Sequence, residues 1–525
     1  MASPAIAKEQ LESVDAASGE VMARFEATPL ASLPEVVARA RAAQSQWAER
    51  SLRKRARAIG KLRDAIYQRR SEIADAVTRE VGKPRIEALF ADVTVALDTA
   101  AYYSKPRRVA RMLRPQRVPH HNLAVKAKRG ELRFEPYGII AIISPWNYPI
   151  AIPFGQIIPA LIAGNAVILK PSEFTPCCGA LIGEVCQAAG LPDGLVQVVQ
   201  GAGEFGAALV ESEGISKVIF TGSVATGKRV AGACAQRLLP SVLELGGKDA
   251  MLVLADADLE VASSAAVWGG FTNCGQACLS VERIYVEQAV AERFTELCVA
   301  KARKLKLGHG GDPGTDIGPM IRPQQMERVE QQLRDAVERG ARILTGGRRS
   351  ALGGNFFEPT VVAGVDHSME LMREETFGPV IAICPVADAG EAVRLANDAQ
   401  FGLGASVWTR DAQRGRQIAL RLNAGAVMVN DVISAFGICE APHGGRGASG
   451  WGRTHSHLGM LEVVQVKYVD VEGLPRMPKL WWYGYGAGLA ADAERFLEFL
   501  FAPRWWERVR RIPGALRALG RGNRV

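Results

Sequence analysis

A cysteine near the middle of the chain stands in a setting that suits a nucleophile. It is Cys278, the last residue of the octapeptide Phe-Thr-Asn-Cys-Gly-Gln-Ala-Cys at 271–278. A thiolate reacts only where its charge is stabilised and where the backbone lets a substrate approach. Gly275 permits a tight backbone, and the N–H of Cys278 could face a substrate oxygen. Alone the octapeptide is only suggestive, because most cysteines are small, buried, hydrophobic residues.

Two further motifs offer groups that acyl chemistry requires. Glu244 lies in Leu-Glu-Leu-Gly-Gly-Lys at 243–248, where burial would raise the pKa of its carboxyl towards that of a general base. Asn147 lies in Ser-Pro-Trp-Asn-Tyr-Pro at 144–149, and its amide N–H could hold a developing oxyanion. The structural alternatives are a surface glutamate at a strand end and a rigid turn whose asparagine bonds its own loop.

Six motifs follow one another in a consistent order. Besides the three above they are the segments 164–173, 220–228 and 374–380. In this order and spacing they resemble the aldehyde dehydrogenase superfamily, over about residues 10–470. Signals that agree with one another favour the functional interpretation of each.

The resemblance implies a role for each reactive residue. Cys278 looks like the nucleophile, and Glu244 looks like the base that activates water and helps to deprotonate the thiol. Asn147 and the backbone N–H of Cys278 look like the oxyanion hole. The implied reaction oxidises an aldehyde to a carboxylic acid through a thioester on Cys278.

The resemblance also implies an NAD cofactor. The matching positions are Trp146, Lys170, Ser172, Glu173, Gly222, Ser223, Gly227, Glu375 and Phe377. Lys170 and Glu173 match contacts to the adenosine ribose, Ser223 matches a pyrophosphate contact at a helix start, and Glu375 and Phe377 match the nicotinamide end. Glu173 favours NAD, because a carboxylate binds ribose hydroxyls and repels a 2′-phosphate. Lys170 leaves NADP open.

Two segments need separate interpretation. Residues 201–206 read Gly-Ala-Gly-Glu-Phe-Gly, but no acidic residue stands about 20 positions later, as the dinucleotide fingerprint requires. We expect a loop near the adenine there. His443 replaces the phenylalanine that is usual in the family's Pro-Phe-Gly-Gly segment. It either bonds a polar substrate group or is a polar tunnel wall without a catalytic role.

The extension at 471–525 differs from the rest of the chain. It holds four of the nine tryptophans and ten Lys or Arg against five Asp or Glu. Apolar residues at 505, 509, 512, 516 and 519 form a helical stripe, which Pro503 and Pro513 are expected to interrupt. One interpretation is peripheral contact of 481–521 with an anionic membrane. The other is docking on its own catalytic domain or on a neighbouring subunit.

Alternating strands and helices must position the motifs. Apolar, β-branched runs at 138–144, 166–169, 195–199 and 217–220 are separated by helical stretches, which predicts a doubly wound α/β domain. A second α/β unit follows, residues 35–80 read as helix, and alternating segments at 118–136 and 458–470 could pair as an arm.

The predicted architecture is α/β with four parts. They are a Rossmann-like NAD(P)-binding domain (1–117 and 137–246), a catalytic domain (247–445), a β-strand oligomerisation arm (118–136 and 455–470) and the amphipathic, basic extension (471–525). By family resemblance the arm implies a homodimer or homotetramer.

The charge, the cysteines and the apolar runs of the chain limit the binding partners and the location that the sequence predicts. The net charge is +9, but more than half of the excess lies in the extension, and no nucleic acid is needed to explain it. Nine cysteines at irregular spacing, without a Cys-x-x-Cys pair, predict neither disulfides nor a metal site. The first residues lack a secretory apolar core, and no uncharged run approaches the ~18–20 residues of a membrane span. We expect a cytoplasmic protein, peripheral at a membrane if the extension binds lipid.

The expected function is NAD-dependent oxidation of a lipophilic aldehyde, medium- or long-chain or aromatic. One alternative is a coenzyme A-acylating dehydrogenase, although such members usually lack the glutamate that Glu244 supplies. The other is an inactive binding protein on the same fold, against which the intact Asn147, Glu244 and Cys278 argue.

Overall fold

Parallel β-sheets flanked by helices form most of the chain in the computed structural model. The structure describes residues 10–476, 479, 481–483 and 485–520. Two compact units are distinguished among them: residues 10–112 with 136–464, and residues 113–135 with 465–520. Because the motifs of the sequence analysis all fall in the first unit, that unit contains the candidate site.

Eighteen strands and nineteen α-helices are found in the described residues. The strands are β1 Gln10–Val14, β2 Val21–Glu26, β3 Gln116–Val118, β4 Arg129–Pro136, β5 Ile139–Ile143, β6 Ala166–Lys170, β7 Val196–Val198, β8 Lys217–Thr221, β9 Ser241–Glu244, β10 Asp249–Val253, β11 Val281–Glu287, β12 Arg342–Thr345, β13 Thr360–Ala363, β14 Val380–Val386, β15 Gly404–Trp408, β16 Ala426–Val429, β17 Gly450–Trp451 and β18 Val464–Val471. The helices are α1 Leu33–Ala48, α2 Leu52–Gln68, α3 Arg70–Val81, α4 Arg85–Glu87, α5 Val95–Tyr103, α6 Pro106–Leu113, α7 Ala151–Ala163, α8 Pro176–Ala188, α9 Gly203–Glu211, α10 Val224–Gln236, α11 Leu259–Phe271, α12 Gln288–Ala302, α13 Pro323–Glu338, α14 Glu370–Arg373, α15 Ala389–Asn397, α16 Ala412–Ala419, α17 Ser456–Glu462, α18 Leu489–Phe501 and α19 Trp505–Gly520. A π-helical turn, Ala88–Thr94, joins α4 to α5.

A six-stranded sheet in the order β17-β9-β8-β5-β6-β7 carries four of the six motifs. Every residue of β5 and β6 is buried, as expected for a β-branched strand covered by helices on both faces. β5, β6, β8 and β9 run parallel, with Ile143 beside Lys170 and Thr221 beside Glu244. The loops after these strands therefore meet at one edge of the sheet, where ligands bind in such folds.

A seven-stranded sheet in the order β12-β13-β14-β11-β10-β15-β16 carries the other motifs. Only β12 runs antiparallel to its neighbour. Cys278 comes shortly before β11, and Glu375 and Phe377 come shortly before β14. The cysteine and these two residues thus lie at the amino ends of neighbouring strands, since β11 and β14 pair in parallel.

The second unit contains a three-stranded sheet and two helices. The sheet has the order β18-β4-β3, and the predicted arm segments do pair with each other. Helices α18 and α19 pack together, with Phe496 and Ala515 buried. Arg511 on α19 forms a 2.7 Å ion pair with Glu498 on α18.

The doubly wound α/β prediction is confirmed, with local corrections. Residues 35–80 form three helices, because Ser51 accepts a bond from the N–H of Lys54 and so caps a new start at α2. Residues 201–206 are not all loop, since α9 begins at Gly203. The predicted strand 458–470 begins only at Val464, because α17 occupies its first residues. Proline 513 does not interrupt the last helix, which runs from Trp505 to Gly520 and packs on α18.

In the part of the chain that the structure describes, no helix has the length and apolar character needed to cross a bilayer.

Candidate active site

The loop that carries Cys278 is a tight turn after α11. Asn273 (φ 52°), Cys274 (φ 55°) and Gly275 (φ 71°) lie consecutively in the left-handed region. A side chain at Gly275 would overlap the backbone carbonyl of Gly378, which explains the glycine. Two non-glycine residues in this region are uncommon and are maintained only where surrounding structure holds them. The turn delivers Cys278 to the junction of the two sheets.

Hydrogen bonds to Glu87 and from Asn273 hold this turn. Glu87 accepts bonds from the hydroxyl of Thr272 (3.0 Å) and from the N–H of Asn273 (2.8 Å). The side-chain amide of Asn273 donates to the carbonyl of Gln276 at 3.0 Å. The sequence analysis did not single out Glu87, whose partners lie about 185 positions away along the chain.

Asn147 is fixed beside the cysteine loop. Its side-chain Nδ2 donates to the carbonyl of Gln276 at 3.1 Å, two residues before Cys278. Its own carbonyl accepts a 2.7 Å bond from Lys83, which also forms a fully buried 2.9 Å ion pair with Asp92. An amide group carries two N–H bonds, and only one is used here. The second is available to an oxygen bound at Cys278.

The environment of Cys278 opposes ionisation of its thiol. Burial raises the pKa of the thiol well above its usual range, and the nearby Asp249, Glu375 and Glu244 raise it further. The thiol is therefore protonated at rest, and a base must remove its proton before it attacks.

Glu244 ends β9 and is buried beside this thiol. Within the described chain, neither of its carboxylate oxygens has a hydrogen-bond partner. Burial raises the pKa of the carboxyl well above its usual range, Arg453 opposes the shift, and Glu462 adds to it. A carboxyl shifted upwards in this way is suited to general-base work near neutral pH.

A cleft of about 760 Å³ lies on one side of Cys278. It brings together eight of the predicted site residues, namely Trp146, Asn147, Gly222, Ser223, Glu244, Cys278, Glu375 and Phe377. Trp146 and Phe377 meet edge to face with ring centroids 5.5 Å apart. Glu375 accepts a 3.0 Å bond from the N–H of Gly247, and burial, with Glu282, raises its pKa to about 7.

The cleft residues fit a dinucleotide. Ser223 is the N-cap of α10, so the first N–H groups of that helix point towards the cleft and suit a pyrophosphate. Lys170, the last residue of β6, lies 3.3 Å from Glu173; β6 neighbours β5 in the same sheet, but neither residue is among those that line the cleft. Ser172 is buried between them in sequence.

Gly227 allows α10 to pack against the loop that follows β9. It is buried in the second turn of α10, and a side chain there would overlap Leu245, the residue after Glu244. The glycine thus lets α10 approach the glutamate loop closely.

An apolar pocket of about 790 Å³ lies on the other side of Cys278. Its walls include Phe90, Val95, Trp268, Leu279, Ile433 and Phe436. Its polar lining side chains are the hydroxyls of Tyr148, Thr272 and Ser434, besides the Cys278 thiol. This pocket suits a long hydrocarbon chain or an aromatic ring.

His443 lies in neither of these two spaces. It lines a smaller, third chamber together with Glu244, Cys278 and His455, and its Nε2 is 3.7 Å from Oε2 of Glu244. His455 was missed in the sequence, because only the fold pairs its segment with that of His443, through the bridge between His443 and Thr454.

Comparison with known proteins agrees with this geometry. The family model described as "Aldehyde dehydrogenase family" matches residues 4–469. A 4,4'-diapolycopene aldehyde oxidase of Methylomonas sp is 37% identical over 511 residues, 97% of this chain and 94% of that protein. A putative succinate-semialdehyde dehydrogenase [NADP(+)] of Mycolicibacterium smegmatis is 41% identical over 82% of this chain and 83% of its own length. The NAD+ complex of an aldehyde dehydrogenase from Bacillus cereus has a TM-score of 0.85 and 34% identity, over 88% of this chain and 93% of that one.

The chain therefore belongs to the aldehyde dehydrogenase family, whose members are NAD(P)-dependent oxidoreductases.

Proposed function

We propose that this chain oxidises a lipophilic aldehyde to the carboxylic acid with NAD, through a thioester on Cys278. One observation carries the proposal: Cys278 lines both the uncharged apolar pocket and the dinucleotide cleft, with Glu244 buried at the same point. An aldehyde held in the pocket thus meets the thiol and the cofactor cleft at once.

In the first half of the reaction, an alkoxide forms and then collapses to a thioester. The thiolate of Cys278 adds to the aldehyde carbon, and the oxygen becomes negatively charged. The free N–H of Asn147 and the backbone N–H of Cys278 stabilise that charge, and one such donor contributes about 3–4 kcal/mol. Trp146, Glu375 and Phe377 would hold a nicotinamide beside this carbon, and that group would supply the hydride acceptor that leaves a thioester on the sulfur.

The second half of the reaction releases the acid. Glu244 takes a proton from water, and the resulting oxygen nucleophile adds to the thioester carbon. The tetrahedral adduct collapses, the C–S bond breaks, and Cys278 leaves as thiolate. Carrying out this step needs Glu244 in its carboxylate form, so deacylation depends on the protonation state of that residue.

The pocket favours a lipophilic substrate over an acidic one. No residue among the described ones that line it carries a charge. The carboxylate of a semialdehyde would therefore be desolvated there without a cationic partner, which is strongly unfavourable. NAD is favoured over NADP because Glu173 lies beside Lys170, where its carboxylate repels a 2′-phosphate.

The test is production of NADH and acid from a panel of aldehydes without coenzyme A. We expect turnover to rise from acetaldehyde to decanal and benzaldehyde, with little from succinate semialdehyde. Cys278→Ala abolishes it, whereas Cys384→Ala, at a partly exposed cysteine on β14, leaves it unchanged. Acid formation only with added coenzyme A would instead support the acylating alternative, and no turnover with either cofactor would overturn the proposal.

We also propose that the extension contacts an anionic membrane surface. Trp481, Trp505 and Phe501 are 54%, 71% and 59% exposed, an unusual arrangement for such large apolar side chains. Four arginines accompany them, at 504, 508, 510 and 511. Exposed aromatic rings beside arginines suit the boundary between lipid headgroups and acyl chains. A lipophilic aldehyde dissolved in the bilayer would then be close to the enzyme.

The arm is a proposed contact between subunits. β18 is at an edge of its sheet in the described chain, with Val466 and Tyr468 exposed on it. An exposed edge strand with apolar side chains pairs readily with another copy. A homodimer or homotetramer, measured by light scattering, is the expected result.

A further inference from the structure

A third chamber adjoins Glu244 and shares wall residues with both the apolar pocket and the cofactor cleft. Its walls include Gln156, Thr221, Phe436, His443 and His455. Glu244 and Cys278 are the catalytic residues that reach it. The side chains that line this chamber are therefore close enough to act on Glu244, the proposed base of thioester hydrolysis.

Several buried polar atoms in this chamber have no hydrogen-bond partner among the described residues. They are both carboxylate oxygens of Glu244, Nδ1 of His443, Nε2 of His455 and Oε1 of Gln156. Leaving one buried polar atom unsatisfied costs about 1–3 kcal/mol, and native proteins contain few of them. Because several of these atoms line one chamber, they are expected to satisfy one another, directly or through water.

The two histidines are held rigidly. His443 and Thr454 exchange two backbone hydrogen bonds, of 2.9 and 2.8 Å. The Phe436 ring contacts both imidazoles edge to face, with centroids 5.0 and 4.9 Å apart. His455 has a φ of 60°, a conformation that a non-glycine residue adopts only when its surroundings impose it. The imidazoles therefore have one orientation.

Burial also fixes their charge. It lowers the pKa of His443 to about 3 and that of His455 to about 4, so both rings are neutral at physiological pH. Each neutral imidazole has one N–H and one acceptor nitrogen. Nδ1 of His455 lies 3.2 Å from the hydroxyl of Thr454 and can accept its hydrogen, which puts the ring N–H on Nε2. The ring centroids are 6.2 Å apart, a separation that one water can bridge.

These assignments define a chain of hydrogen bonds that ends at Glu244. If Nε2–H of His455 donates through that water to Nδ1 of His443, the hydrogen of His443 must be on Nε2. That atom is the one 3.7 Å from Oε2 of Glu244. Catalytic hydrogen bonds are often long in an empty site and shorten in the reacting complex.

We propose that His443 is a positioning residue that donates its Nε2–H to the carboxylate of Glu244, and that His455 sets its tautomer. This proposal rests on the proposed function of Glu244 as the base of thioester hydrolysis. The donated hydrogen bond stabilises the ionised carboxylate of Glu244 in its buried surroundings. It also holds the Glu244 side chain in one rotamer. The other charged groups that act on Glu244 are Arg453, which favours ionisation, and Glu462, which opposes it.

The experiment separates acylation from hydrolysis in three variants. His443→Phe removes the donor but keeps a ring, and His443→Gln restores an N–H near the position of Nε2. His457→Phe, at an exposed position on α17, is the matched control. The rapid NADH burst and the slower steady-state acid formation are measured from pH 5 to 10 with decanal.

We expect the acidic limb of the steady-state rate to move up by about one to two pH units in His443→Phe, because the lost bond had favoured the carboxylate. At pH 7 turnover falls roughly tenfold, which corresponds to about 1.4 kcal/mol. The burst amplitude and the KM for decanal stay within about twofold of wild type, since those steps do not use the donor. His443→Gln recovers the wild-type limb, and His457→Phe retains it.

An unchanged acidic limb in a folded His443→Phe enzyme would overturn the proposal. Thermal unfolding checks the fold, and His443→Leu replaces the phenylalanine variant if the latter does not fold. The infrared carboxyl band that disappears in Glu244→Gln gives a readout without turnover, and it must titrate at higher pH in His443→Phe. If wild type forms no acid, the proposed function fails; if that band does not shift between variants, the inference alone fails.

Discussion

At the residue scale, Cys278, the proposed nucleophile, is unreactive by itself. Burial and three nearby carboxyl groups keep its thiol protonated, which protects a partly accessible thiol from oxidation and from adventitious reactions. Glu244 is buried beside it with a raised pKa, and this carboxyl accepts a proton only in its ionised form, which is also the form that deacylation needs. Reactivity is then confined to the moment when a base and a substrate are both in place.

Glu244→Gln separates the two halves of the reaction. Glutamine keeps the size of the side chain but cannot accept the proton of the attacking water. We expect one equivalent of NADH to form rapidly while steady-state turnover falls by a factor of about 10²–10⁴, the usual contribution of a general base. Stopped-flow absorbance of NADH measures both phases. A matched Glu213→Gln at an exposed position leaves both unchanged, and an equal loss of burst and turnover would show that Glu244 acts mainly before hydride transfer.

The sequence predicts the reactive residues better than the residues that hold them. Cys278, Glu244 and Asn147 stand in short motifs whose chemistry can be inferred residue by residue. Lys83 and Glu87 give no such signal, because a buried Lys or Glu is indistinguishable in sequence from an exposed one on a helix. Their roles come from partners 64 and 186 positions away, which only the fold brings near.

At the element scale, strand ends were predictable because β5 and β6 are buried β-branched runs that end at Pro145 and Pro171. The start of α2 and the course of α19 were harder. Ser51 caps α2 three residues after α1 ends, without interrupting the apolar periodicity of the segment. In α19 the packing against α18 outweighs the unfavourable effect of Pro513. Tertiary contacts decided both cases.

Two glycines of α10 test how closely this helix must approach the site. A methyl group at Gly227 would overlap Leu245, whereas one at Gly232 meets open space. We expect Gly227→Ala to lower the free energy of unfolding by about 1–3 kcal/mol and to reduce kcat, because Leu245 follows Glu244 directly. Gly232→Ala should raise the free energy of unfolding by roughly 0.5–1 kcal/mol and leave kcat unchanged. Urea unfolding and steady-state assays measure both, and equal effects of the two substitutions would contradict this account.

At the scale of the whole molecule, the placement of the site follows from parallel sheets. The carboxyl ends of β5, β6, β8 and β9 supply Asn147, the cofactor positions and Glu244, and the second sheet supplies Cys278. Strand–helix alternation was enough to predict this architecture. It was not enough to predict the use of the extension, because an amphipathic helix buries its apolar face equally well against protein or lipid.

Vesicle binding distinguishes these two uses. Full-length protein is mixed with vesicles of phosphatidylcholine alone or with about 30% phosphatidylserine and is then centrifuged. Binding to anionic vesicles at low salt should fall steeply by about 0.5 M NaCl, because arginines attract the headgroups through screened charges. The double variant Trp505→Ser/Trp506→Ser should lose binding to anionic vesicles. Tyr67→Ser, at an aromatic residue of α2 that is 51% exposed, should retain that binding. Wild-type protein that stays in the supernatant with every vesicle would show that the tryptophans pack against protein, and the variant would then lower the thermal stability or the oligomeric mass instead.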